Sequence, residues 1–294
     1  MNTQVKFAIV ATIIVIPLSS IAVYGTNSNQ EFTINDNSKL QVISSFYALH
    51  EFSQNIGQEK IDSILLVPMG VDPHNWEPTI KDVQRMQQSD LIIINGIGFE
   101  NWVDNLIEIN NQVVIVDTSN GITINNSQDT HIWLNPILAK IQVQNIANAF
   151  SKSDPENQEF YQLNAIAYIQ ELDLLNLKIK NELSNCDSDF IAFHNAFSYF
   201  ANQYDLNQHT IISSNDPHGE ATAKTLEKII STSKELDIKI IFSEENVDVR
   251  TSKIIANEIN GKVLVLSPLE IASDETYISK MTKNLDNLKE ALCQ

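Results

Sequence analysis

Three of the chain's six histidines stand where an imidazole can meet a metal ion. His74 lies in VPMGVDPHNWEPT, just beyond the apolar run 61–67, and His194 lies in FIAFHNAFSYF, at the end of the run 189–193. His131 lies in DTHIWLNP, ahead of a helical pattern that starts near Pro136. Three neutral imidazoles with one carboxylate make a tetrahedral set suited to Zn²⁺. Glu270, in VLVLSPLE past another apolar run, supplies that carboxylate, with water as its competitor for the fourth position. Mn²⁺ prefers more oxygen donors and is the alternative metal. Each histidine alone has a plainer reading, because a single histidine at a strand end usually serves as a hydrogen-bonding residue. The case rests on three of them in equivalent places.

The remaining histidines are expected to stand apart. His50 falls inside the helix after the first strand and reads as a surface or packing residue. His209 begins a strand, the wrong end for the site, whereas His218, in SNDPHGEAT, follows a strand and could stand behind the ligands or at the way in. Asp72 and Asp129, each two residues before a candidate histidine, either orient the imidazoles or sit in exposed turns. Trp76 and Trp133, each two residues after one, are expected to pack the lobe interface and exclude water. Glu244 and Glu245 follow the run 238–243 and would add negative potential near the site. There is no G-x-G-x-x-G, Walker loop, G-x-S-x-G elbow or H-E-x-x-H.

The elements that must position these groups fall into two sets. Strand-length apolar runs lie at 40–45, 61–67, 90–95 and 112–117, then at 189–193, 208–213, 238–243 and 262–267. They lack strict alternation and so read as parallel strands buried on both faces. Helical patterns at 79–88, 98–109, 136–151, 219–236 and 248–260 lie between them. Strand–helix alternation in two groups predicts an α/β protein of two Rossmann-like lobes with parallel sheets. In such sheets ligands gather outside the carboxyl ends of the strands, where the three histidines fall. Between the groups, Phe160, Leu163, Ala167, Leu172, Leu175, Ile179 and Leu183 recur at helical spacing from an expected N-cap at Asp154 and Pro155. That is about 29 residues, or roughly 43 Å, of stiff spine joining the lobes.

The chain has 294 residues, 19 basic and 37 acidic, for a formal charge of −18. Such a surface repels nucleic acid and anionic membrane and concentrates cations, although solubility alone also accounts for it. Residues 7–24 carry no charge after Lys6 and resemble an export signal or an N-terminal anchor. The first cysteine is Cys186, so a lipidated N-terminal cysteine is not expected. In an exported chain Cys186 and Cys293 read as one disulfide, with two buried thiols as the alternative. The expected layout is a leader at 1–25, a linker at 26–38, lobes at 39–152 and 186–294, and the spine at 153–185.

The segment VPMGVDPHNWEPTIKDVQRMQQSDLIIINGIGFENWVDNL resembles the signature of the zinc- and manganese-binding receptor proteins of ABC transporters. HIWLNPILAKIQV, FHNAFSYFANQYDL and VLVLSPLE continue the likeness in order, from about residue 39 to the C-terminus. The resemblance implies a rigid backbone helix, a metal at the lobe interface, and ligand roles for His74, His131 and His194. Many members place an aspartate where Ser267 stands, and Glu270 matches the glutamate of an alternative N-P-L-E form. The segment before His131 lacks the His-rich loop of some zinc receptors. The implied function is a monomeric extracytoplasmic protein that captures Zn²⁺ for an ABC permease, with affinity falling steeply below about pH 6. A surface adhesin on the same scaffold and, more distantly, a zinc hydrolase are the rivals; no enzyme activity is expected.

Overall fold

Short β-branched and aliphatic runs become strands buried on both faces when helices cover both sides of a sheet. The computed structural model describes residues 39–105, 114–124, 129–212, 214, 217–219 and 221–293. The expected leader and linker at 1–38, and residues 106–109 of the expected helix 98–109, lie outside the described residues.

Strands β1 (Leu40–Ser44), β2 (Ile61–Leu65), β3 (Leu91–Ile94) and β4 (Val114–Asp117) form a sheet of order β2-β1-β3-β4. A second sheet has order β6-β5-β7-β8, from β5 (Asp189–Ala192), β6 (Asn207–Thr210), β7 (Ile240–Ser243) and β8 (Lys262–Val265). Every pairing is parallel, with Leu40 opposite Ile61 and Val42 opposite Leu91 in one sheet and Ile191 opposite Ile241 in the other. In both sheets the strand order reverses beside the first strand, so the switch points where ligands gather in such folds fall at the carboxyl ends of β1 and β3, and of β5 and β7. The inner strands β3 and β7 are buried at every position. His209 lies within edge strand β6 rather than at its start, and its ring bonds Asp189 at 2.8 Å.

The helices are α1 (Tyr47–Gly57), α2 (Ile80–Met86), α3 (Pro136–Ser153), α4 (Gln158–Leu183), α5 (Ser198–Gln203), α6 (Ala223–Glu235), α7 (Arg250–Glu258) and α8 (Tyr277–Leu292). Thr79 and Asp82 form a reciprocal capping box on α2, which fixes where the chain leaves the loop of His74. Asn135 caps α3, accepting from the Ile137 N–H, with Pro136 in the first turn.

The spine is shorter than its pattern. Asp154 ends α3, and Pro155–Asn157 form a 3-10 turn before the 26 residues of α4 begin. The Asp154 carboxylate accepts from the Asn157 amide and the Tyr161 hydroxyl, each at 2.7 Å, and so pins the corner. The buried face of α4 is Tyr161, Ala165, Tyr168, Leu172, Leu175, Ile179 and Leu183. Leu163 is exposed, contrary to its place in the expected stripe, because the two tyrosines occupy the inner face of the first turns.

One hydrophobic cluster runs through both sheets and the spine, from Val42 and Phe46 through Trp133 and Leu172 to Phe190, Phe242 and Leu266. The seam between the lobes is thus part of the core. Trp133, fully buried, donates its indole N–H to Pro268 O at 2.8 Å, and the Tyr277 hydroxyl donates to Trp133 O at 2.6 Å. The Tyr47 hydroxyl donates to Glu275 O, and the Tyr277 N–H to Glu51. Truncating an aromatic of this kind costs about 3–5 kcal/mol. Cys186 and Cys293 are joined in a disulfide that ties the end of the spine to the end of α8. No described helix is long and apolar enough to cross a membrane.

Candidate metal centre

The chain after β2 runs through Pro68–Pro73 and delivers His74; the Asp72 carboxylate accepts the His74 backbone N–H at 2.8 Å and holds that turn. His131 precedes a short 3-10 turn, Ile132–Leu134, which leads through Asn135 into α3. His194 lies two residues past β5, and Glu270 lies five residues past β8. The four side chains meet: one ligand atom from each lies within 4.8 Å of all the others. His131, His194 and Glu270 are buried, and His74 closes the outer side.

The distances suit one small ion. Nε2 of His131 lies 3.3 Å from Nε2 of His74 and 3.2 Å from Nε2 of His194. Glu270 Oε1 lies 2.9 Å from His74 Nε2, 2.8 Å from His131 Nε2 and 3.9 Å from His194 Nε2. A tetrahedron with arms of 2.0–2.1 Å has edges of about 3.3–3.4 Å, so these separations bracket the value a zinc ion requires.

Tautomers settle what faces the centre. His131 Nδ1 donates to Asp129 Oδ1 at 2.8 Å, and His194 Nδ1 donates to Glu244 Oε2 at 2.7 Å. A neutral ring held this way must turn its Nε2 lone pair inward. Two lone pairs and a carboxylate oxygen then face one another at close range, an arrangement that only a cation relieves. Without metal, protons serve: burial alone would lower the pKa of His131, but its bonds to Asp129 and Glu270 outweigh that and push it up to about 10. Burial would raise Glu270, yet His74 and His131 hold it far below the usual carboxylate range.

Phe99 stands with its ring 5.1 Å from that of His74 and 6.2 Å from that of His131, and Trp133 lies 5.0 Å from His131. These rings form a dry wall. Trp133 thus meets the expectation of an interface tryptophan, whereas Trp76 does not. It packs edge-on against Trp102, 6.2 Å away, in a separate cluster with Met86 and Ile92. Phe99 itself escaped the sequence reading.

Asp129 and Asp72 are both structural acceptors rather than exposed turn residues. Asp129 also takes the Ser198 N–H at 2.9 Å, bridging to the start of α5 in the other lobe. Glu244 does more than add potential: it grips both the ring and the backbone N–H of His194. Beneath the first lobe's half, buried Glu100 accepts from Ser45 Oγ and from the N–H groups of Asn95 and Gly96, and burial pushes its pKa up to about 7. Asn95 in turn donates to Thr130 O at 2.9 Å, fixing the peptide before His131. Gly96, at φ 83°, is needed there because a side chain would collide with Asp117.

His218 lies outside the group of four. Its Nε2, on an exposed ring at the rim, is 3.3 Å from Oδ2 of half-buried Asp72. His50 also stands apart, bonded to Ser63 at 3.0 Å and lowered by burial to about 4.

The family described as "Zinc-uptake complex component A periplasmic" matches residues 42–291. The high-affinity zinc uptake system protein ZnuA of Bacillus subtilis is 33% identical over 92% of this chain and 93% of its own length. The crystal structure of the metal-dependent lipoprotein YcdH from Bacillus subtilis superposes with a TM-score of 0.79 at 37% identity, covering 86% of this chain and all (100%) of that one. The Zn(II)-bound ZnuA-like domain of Streptococcus pneumoniae AdcA gives 0.79 at 30% identity, covering 87% and 100%.

Proposed function

The chain belongs to the zinc-uptake complex component A family, and on that premise we propose that it is an extracytoplasmic receptor that captures Zn²⁺ for the permease of an ABC transporter. The observation that carries this reading is the convergence of His74, His131, His194 and Glu270 on one point at the seam. Zinc is the cargo, held by the three Nε2 atoms and a Glu270 oxygen. Three nitrogens and one oxygen favour it over Mn²⁺, which takes oxygen-rich and higher-coordinate sites.

Capture requires no bond making beyond coordination. The ion sheds water, displaces protons from the imidazoles, and is sealed by the Phe99 and Trp133 rings. With Glu270 in the fourth place, no position remains for the metal-bound water that a zinc hydrolase needs. The receptor acts as a monomer, with 39–152 and 186–294 as its lobes and the apolar segment 7–24 as export signal or anchor.

Metal analysis of the purified chain tests this, with calorimetry on His74→Ala, His131→Ala, His194→Ala and Glu270→Ala. One zinc per chain is expected, with each variant weaker. A chain that takes up no zinc, or four variants that bind like the parent, would contradict it.

A further inference from the structure

Helix α8 presents Tyr277, Lys280 and Asn284 on one buried face, spaced i, i+3 and i+7. A lysine on the inner face of an amphipathic helix is unusual, because burying an ammonium is costly unless it is paired and hydrogen-bonded. Lys280 is 5% exposed. Its Nζ donates to Ile271 O at 2.8 Å, lies 3.5 Å from Glu245 Oε1, and sits 4.9 Å from the centre of the Tyr47 ring.

Each contact leads to the metal group. Ile271 follows Glu270; Glu245 follows Glu244, which holds the ring of His194; Tyr47 belongs to the first lobe. One turn further along α8, Asn284 takes the Ser267 N–H at 2.8 Å and donates to Ser267 O at 2.7 Å. Trp133 holds Pro268 O, and Leu269 is kept at φ 56°, a left-handed conformation that a leucine adopts only under constraint. The segment that aims Glu270 is therefore tethered at Ser267, Pro268 and Ile271, and the last tether is the lysine.

We propose that Lys280 is a positioning residue for metal capture: its ammonium fixes the backbone that aims Glu270 and ties it to the segment supporting His194. The inference rests on the proposed zinc site and adds to it a group that touches no metal.

The test is a double-mutant cycle on the full chain, with parent, Lys280→Met, Glu270→Gln and the double variant. Zinc affinity is measured by competition with a chromogenic chelator, and Co²⁺ absorption reads coordination geometry. Lys280→Met is expected to weaken zinc by about tenfold, mainly through faster dissociation, as for other groups that orient a ligand. In the Glu270→Gln background its effect should shrink to about twofold, since a residue acting through Glu270 has nothing left to position. The Co²⁺ bands of Lys280→Met should move toward those of Glu270→Gln. Circular dichroism of the metal-free proteins checks folding; if Lys280→Met does not fold, Lys280→Gln, which keeps an N–H donor, enters the same cycle. Parent-like affinity, or an equal loss in both backgrounds, would overturn the role of Lys280 alone. A parent that binds no zinc would remove the receptor reading and this inference together.

Discussion

Replacing Asp129 by asparagine changes one atom and leaves three hydrogen bonds to be redistributed. Oδ1 accepts from the backbone N–H and Nδ1 of His131, at 2.9 and 2.8 Å, while Oδ2 accepts from Ser198 N–H at 2.9 Å. An amide keeps one oxygen. If it faces His131, an NH₂ meets the Ser198 N–H and a buried donor goes unsatisfied, at about 1–3 kcal/mol. If it faces Ser198, the NH₂ meets the imidazole, Nδ1 must become the acceptor, and Nε2–H points where the metal should be. Either way zinc binding is expected to weaken by about 10–100-fold, equivalent to about 1.4–2.7 kcal/mol. Chelator competition measures the loss, and long-range ¹⁵N–¹H spectra of the metal-free protein read which ring nitrogens of His131 carry protons. A folded Asp129→Asn chain with unchanged zinc affinity and unchanged ring protonation of His131 would refute this reasoning.

Proton competition gives a second prediction. His131, pushed up to about 10 in the metal-free chain, carries a proton at neutral pH that zinc must displace. Its folded value lies above the unfolded one, so its contribution to metal-free stability is complete below about pH 6.5 and is lost as pH rises through about 10. Zinc should therefore raise Tm more at about pH 9 than at about pH 6, which moves the sensitive range above the one unperturbed imidazoles imply; a constant zinc-induced shift would count against it. His50 works in the opposite sense: its folded value of about 4 lies below the unfolded one, so stability falls as pH drops from about 6.5 toward 4, by at most about 3 kcal/mol. His50→Gln should flatten that acid limb in urea titrations, and an unchanged limb would exclude His50 as its source. Cys186→Ser with Cys293→Ser opens a cross-link spanning 107 residues, which should cost about 4–5 kcal/mol and on the order of 10 °C in Tm. Zinc affinity should persist, since neither cysteine belongs to the ligand group; a parental melting curve would contradict the stabilising role.

The doubly buried strands were legible because their aliphatic runs have no second use. Boundaries drifted where apolar residues continue past the ladder, as at Ile211 and Ile212 beyond β6. In α4 the aliphatic pattern misled at Leu163 and Ala167, which face outward, while Tyr161 and Tyr168 turn in. Among the groups around the metal point, Asp129 was visible because it precedes its histidine by two residues. Glu244 grips a histidine 50 residues away, and no local pattern encodes that pairing. Lys280 has the sequence of an ordinary solvent-facing lysine, and only the fold reveals what it touches.

A core that runs unbroken through the dividing line between two lobes does not permit them to part like jaws, because separation would expose Trp133, Phe46 and Leu269 together. The loop of His74 is different. Across the rim it is held by Asn246, which donates to Gly70 O at 2.9 Å, and by the pair of His218 with Asp72. The first is water-exposed and the second open on its histidine side, contacts of small worth beside the core. Freeing that strap would break far fewer contacts than parting the lobes, so the outer wall beside His74 is the softest side of the centre.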